Sequence, residues 1–217
     1  VTRLLLVNPN TNTRTAAVMA AIAQRAAPSG VTVEGATVAT GAPLLDDPAK
    51  LAEGALAVQA LLAATDLSPF AGVIVAAFGD PGLAESRAAA PVPLTGIAEA
   101  AMAEAAAAGR FVIVTTTGLL KPAIDARVAQ YGHAPRHAGT FLTEGAAAAL
   151  MADPARLEAA LEATARHALA ETRADAIIIG GGPLAAVAEA LRPRFPVPII
   201  EPVPAAVRLA VRRAASR

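Results

Sequence analysis

Few residues of this chain can do chemistry, and two carboxylates head the short roll. Asp80 lies in VIVAAFGDPGLAE (73–85), and Glu201 follows the apolar run PVPII. A carboxylate at a strand's C-terminal end, in a concave and partly dry site, has its pKa raised and can act as a general base. Each also has a structural reading. Asp80 precedes Pro81, as helix N-caps do, and Glu201 precedes Pro202, where a helix dipole favours negative charge. The other polar groups are neutral. NPNTN (8–12) sets the amides of Asn8 and Asn10 after the first apolar run, and Thr115, Thr116 and Thr117 close another. Gly180, Gly181, Gly182 and Pro183 close a third, leaving backbone N–H groups open to a ligand. Amides, hydroxyls and free N–H groups at helix starts hold carboxylate or enolate-like oxygens, and equally cap the helix.

Other chemistries lack their residues. With 217 residues and no Cys, disulfides, thiolate metal sites and cysteine nucleophiles are all removed. G-x-G-x-x-G and G-x-x-x-x-G-K-[ST] are absent. His133 and His137 in YGHAPRHAG form a His-x3-His spacing in an expected loop, without nearby carboxylates, and read as solvated residues. No metal or cofactor is expected. Lys+Arg and Asp+Glu are balanced at 18 each, which argues against nucleic acid and anionic membrane as partners. The apolar run in VTRLLLVNPNTN is too short for a signal peptide or a membrane span. The expectation is a cytoplasmic protein with a small-molecule substrate, its Ala-rich helices favouring a homo-oligomer.

Positioning these residues requires an α/β frame. Apolar strands expected at 3–7, 31–37, 72–76, 92–94, 111–114, 176–179 and 197–200 alternate with segments of helical period. Those helices fall at 12–26, 48–64, 97–108, 119–130, 144–170, 184–191 and 203–215. Strands apolar on both faces imply mostly parallel sheets flanked by helices. The chain also repeats itself at a nearly constant spacing of just over a hundred residues. LLLVNPNTN aligns with FVIVTTTGL, VIVAAFGDPGLAE with AIIIGGGPLAAVAE, and PLTGIAEAAM with PIIEPVPAAV. Asn8 then stands opposite Thr115, Ala77 opposite Gly181, and Gly96 opposite Glu201. Two pseudo-symmetric α/β halves follow, residues 1–95 plus 200–217 and residues 96–199, with a cleft between their strand ends.

NPNTN, AFGDPGL (77–83), GIAEAAM (96–102), VTTTG (114–118), IGGGPLA (179–185) and VPAAV (203–207) together resemble the aspartate/glutamate/hydantoin racemase superfamily. The branch of hydantoin and allantoin racemases is the most similar. The resemblance implies two α/β halves with the active site between them. It also implies two cysteines on opposite faces of the substrate's acidic carbon, one removing the proton and one returning it. Those cysteines fall at Ala77 and Gly181, so two-thiol racemisation is excluded by composition. The resemblance further implies substrate contacts at Asn8, Asn10, Ala77, Phe78, Gly79, Thr115, Thr116, Thr117, Gly181, Gly182 and Pro183. Three activities stay open. One is an isomerase or lyase on a small carboxylate or cyclic ureide, with Glu201 or Asp80 as an oxygen base. Another is a hydrolase of a cyclic amide or ureide, with an acid or His137 activating water. The last is a non-catalytic small-molecule binder.

Overall fold

The computed structural model describes residues 1–181 and 184–216. The first part of the chain runs β1 (Thr2–Asn8), α1 (Thr13–Ala26), β2 (Val31–Thr37), α2 (Pro48–Ala64), β3 (Gly72–Val75), α3 (Leu83–Arg87), β4 (Leu94–Gly96) and α4 (Ile97–Ala108). The second runs β5 (Phe111–Thr115), α5 (Lys121–Gln130), β6 (His137–Leu142), α6 (Ala147–Met151), α7 (Pro154–Thr172), β7 (Ala176–Ile179), α8 (Ala185–Leu191), β8 (Ile199–Ile200) and α9 (Pro202–Ala215). The strands form two sheets, β2-β1-β3-β4 and β6-β5-β7-β8, with every described pairing parallel. Both sheets have the same order, so the sequence repeat is a repeat of topology. The apolar runs LLLV, VIV, FVIV and AIII are the central strands. Each is buried on both faces by helices, which is why each reads as unbroken hydrophobicity rather than alternation.

Two helices tie the sheets together. α4 follows a strand of the first sheet yet packs on β7 of the second, while α9 follows the second sheet and packs on β3 and α1. α4 and α9 also pack on each other, with Ala98, Ala101 and Ala105 on one and Ala206 and Ala210 on the other fully covered. Small side chains allow that close approach. One hydrophobic cluster therefore passes through both sheets, from Leu4 and Ile74 through Met102 to Phe111 and Ile178.

Two elements differ from the sequence expectation. The segment 137–142, expected as loop, is the edge strand β6, paired to β5 with a register shift between Phe111 and Val112. The helix expected over 144–170 is two helices. Asp153 Oδ1 accepts from Arg156 N at 3.1 Å and Pro154 occupies the first turn, so a new helix starts there. The short α3 is the helix that the strand–turn–helix pattern of VIVAAFGDPGLAE (73–85) expects.

Candidate active site

The C-terminal ends of the central strands β1, β3, β5 and β7 meet at one cavity of about 310 Å³. Four turns build it: Asn10 follows β1, Ala76–Phe78 follow β3, Thr116 and Thr117 follow β5, and Gly180 and Gly181 follow β7. Ala77 and Gly181 line the same space, as the repeat requires. The Phe78 ring lies across the junction. A Cβ on Gly180 would come within 2.9 Å of Phe78 Cε1 and 3.2 Å of Ile113 Cγ2, so glycine is what lets the two turns approach.

The first turn is organised by a side chain that does not itself line the cavity. Asn8 is fully buried, and its Nδ2 lies within hydrogen-bond distance of Asn10 Oδ1 (2.9 Å), Asn10 O (3.0 Å) and Asn12 O (3.1 Å). Asn10 Oδ1 also accepts from Asn12 N at 2.9 Å. With its oxygen committed twice, Asn10 keeps its Nδ2 donors for the cavity it lines. Thr115 behaves like Asn8. It is buried and donates from Oγ1 to Gly180 O at 2.8 Å, knitting β5 to the β7 turn. Thr116 and Thr117 line the cavity; Thr117 Oγ1 shares a hydrogen bond with Thr115. Gly79 does not line it, since Leu51 packs on that side. Gly182 and Pro183 lie outside the described residues.

The structure gives both expected bases another task. Asp80 is fully buried at φ 49°, and its carboxylate caps α4 from a distance. Oδ1 accepts from Ala98 N at 2.9 Å, and Oδ2 accepts from Glu99 N at 2.7 Å and Tyr131 Oη at 2.8 Å. The helix's own N-cap is Gly96, which has no side chain to offer, so Asp80 replaces it. Glu201 is buried in an ion pair with Arg192, at the start of α9. Neither lines the cavity. His137 sits at the N-terminal end of β6, the opposite edge of the sheet, with its ring 5.5 Å from that of Phe111. It cannot activate water in the cavity.

Sequence reasoning missed most of the apolar wall: Met19, Leu44, Leu45, Leu120, Met151 and Leu184. Leu44 and Leu45 carried a signal, being apolar residues in a loop just before the Asp47 cap of α2. No Asp, Glu, His, Lys, Arg or Tyr is among the described residues that line the cavity. Among the described residues no group of three His, Asp or Glu is placed to hold a metal, and no helix is long and apolar enough to cross a membrane.

Burial pushes the Asp80 carboxyl up to about 6, against the pull of Ala98, Tyr131 and Glu99. A folded pKa above the unfolded value means the native state keeps a proton that the unfolded chain has shed. Stability from this group is thus fully present below about pH 4 and lost as pH rises through about 6. His133 and His137, held below the usual histidine range by burial, act in the opposite sense. Comparing wild type with Asp80→Asn cancels the histidines. The wild-type Tm minus the variant Tm is expected to fall between pH 4 and pH 6.5; a flat difference would show that Asp80 does not titrate there.

Two α/β halves of like topology, with a cavity at the ends of their central strands, define a pseudo-symmetric α/β fold. The chain belongs to the Asp/Glu/hydantoin racemase family, whose model matches residues 4–210. It is similar to the hydantoin racemase of Rhizobium meliloti, at 32% identity over 94% of this chain and 86% of that protein. Among solved structures it matches the allantoin racemase of Klebsiella pneumoniae with a TM-score of 0.94 and 29% identity, covering 100% of this chain and 89% of that one. It also matches the allantoin racemase of Pseudomonas fluorescens with a TM-score of 0.92 and 31% identity, covering 97% and 89%.

Proposed function

We propose that this chain binds a small uncharged cyclic ureide, of the hydantoin and allantoin kind, and does not move the ring proton with its own side chains. The observation that carries the reading is the lining itself. It offers hydrogen-bond donors and an apolar wall, and among the described residues no group that titrates. Racemisation needs a base in reach of the acidic carbon and a donor on its far face; neutral donors can stabilise an enolate but cannot remove a proton. A carboxylate ligand fits less well, because no cationic side chain among the described residues lines the cavity to offset its desolvation. A ureide ring presents amide N–H and C=O groups without charge. Its carbonyls suit Asn10 Nδ2 and the Thr116 hydroxyl, and a ring substituent would lie against Leu44, Leu120 and Met151. The relatives' names, hydantoin racemase and allantoin racemase, supply the ligand class.

Calorimetric titration with 5-benzylhydantoin and with allantoin tests this. Asn10→Ala and Thr116→Val are each expected to weaken binding about tenfold, as for one lost hydrogen bond to a buried polar group. His137→Asn should leave binding unchanged. Equal binding by all three variants would place the ligand elsewhere.

A further inference from the structure

α5 connects to both walls of the cavity. At its N-terminal end it is continuous with Thr116, Thr117 and Leu120, which form the second-half wall. At its C-terminal end it reaches the turn that forms the first-half wall. Arg127 Nε donates to Gly79 O at 2.9 Å, and Tyr131 Oη donates to Asp80 Oδ2 at 2.8 Å. These two bonds hold consecutive residues of the turn that carries Ala77 and Phe78 into the cavity. Within its own half that turn is secured by backbone bonds from Ala76 N to Val7 O and from Asp80 N to Ala77 O. It is otherwise tied across by the N-terminus of α4. Ten residues of helix span about 15 Å, so one rigid element joins the two walls.

We propose that Arg127 and Tyr131 are positioning residues that set the width of the cavity, by fixing the Ala77–Asp80 turn to the helix that carries the opposite wall. Neither touches the cavity, so their effect on a ligand passes through the turn alone. Tyr131 suits the task chemically. Its phenol, pushed up by burial and by the neighbouring Asp80 carboxylate, keeps its proton and stays a donor. Arg127 presents a planar guanidinium and donates to a carbonyl that has no other described partner.

The inference rests on the proposed binding site only in its second readout. The first is amide hydrogen exchange followed by mass spectrometry, without ligand, on Tyr131→Phe, Arg127→Met and the double variant. Exchange over 77–83 is expected to quicken about tenfold in each single variant and more in the double. Exchange over 111–115 and 176–179 should stay within about twofold of wild type, and Arg127→Lys, which keeps a donor, should recover part of the protection. Uniform acceleration across the chain would mean a merely structural role and would overturn the proposal, as would unchanged exchange over 77–83. The second readout is affinity for 5-benzylhydantoin, expected to fall about fivefold in the double variant. Loosened exchange with unchanged affinity would overturn the link to cavity width while leaving the binding site itself standing. If wild type binds no hydantoin at all, the proposed function fails and the exchange result still decides the clamp.

Discussion

An A77C/G181C variant is expected to exchange the ring C–H proton of 5-benzylhydantoin with solvent about 10² to 10⁴ times faster than the parent chain. The cavity lining of the parent holds, among the described residues, no group able to take or return a proton. Ala77 and Gly181 end paired turns after β3 and β7 and line the same space. Thiols there would approach the acidic carbon from the two halves, which is the arrangement the family resemblance implies. Only the thiolate takes a proton, so the gained exchange should rise with pH toward about 8.5. The two positions are not equally receptive. A Cβ on Gly181 would stand 2.9 Å from Leu184 Cδ1, so Leu184 must move, and adding Leu184→Ala should raise the gain. A77C alone should exchange without inverting the centre, because the far face still lacks a donor. Binding retained without any gain in exchange in the double variant would show that the two positions do not face the ring.

Gly96→Ala is expected to destabilise the fold more than any other single methyl added at a described glycine with an ordinary backbone angle. Its φ of −90° and ψ of 148° suit alanine, so no backbone strain enters. The obstacle is the Asp80 carboxylate, whose Cγ would lie 2.2 Å from the new Cβ. Asp80 cannot withdraw without releasing Ala98 N, Glu99 N and Tyr131 Oη in a fully buried place. Overpacking costs about 1–3 kcal/mol and each orphaned buried group about 1–3 kcal/mol more. A total near 4 kcal/mol lowers the Tm by on the order of 10 °C for a chain of this size. Gly118→Ala, where the nearest atom is Leu142 Cδ1 at 3.4 Å, should cost little and serves as the control. Asp80→Gly combined with Gly96→Ala should be milder than the sum of the two, since it removes the clashing group and accepts the positive φ of 49°. Strict additivity in thermal unfolding would contradict the contact.

The same Asp80–Gly96 contact shows what the sequence could and could not disclose. Strand–helix alternation and the internal repeat carried the fold, because parallel strands buried on both faces leave unmistakable apolar runs. The repeat also brought Ala77 opposite Gly181. The direction of a side chain leaves no such mark. Asp80 before Pro81 reads as a cap for its own turn, yet it caps a helix that starts at Ile97, after an intervening strand. Asn8 and Thr115 sit at strand ends as ligand residues would. Each instead turns inward to hold its neighbours, handing the cavity to Asn10, Thr116 and Thr117. β6 escaped because HAGTFL opens on His, Ala and Gly and is half-covered at an edge, with no continuous apolar run.

The central claim is that the cavity binds without transferring a proton. One enantiomer of 5-benzylhydantoin, titrated into wild-type protein in heavy water and followed by calorimetry and proton NMR, tests it most directly. The account predicts saturable binding, with the ring C–H signal decaying no faster than in protein-free buffer. Decay or inversion that scales with protein concentration, and that Asn10→Ala and Thr116→Val slow, would contradict it.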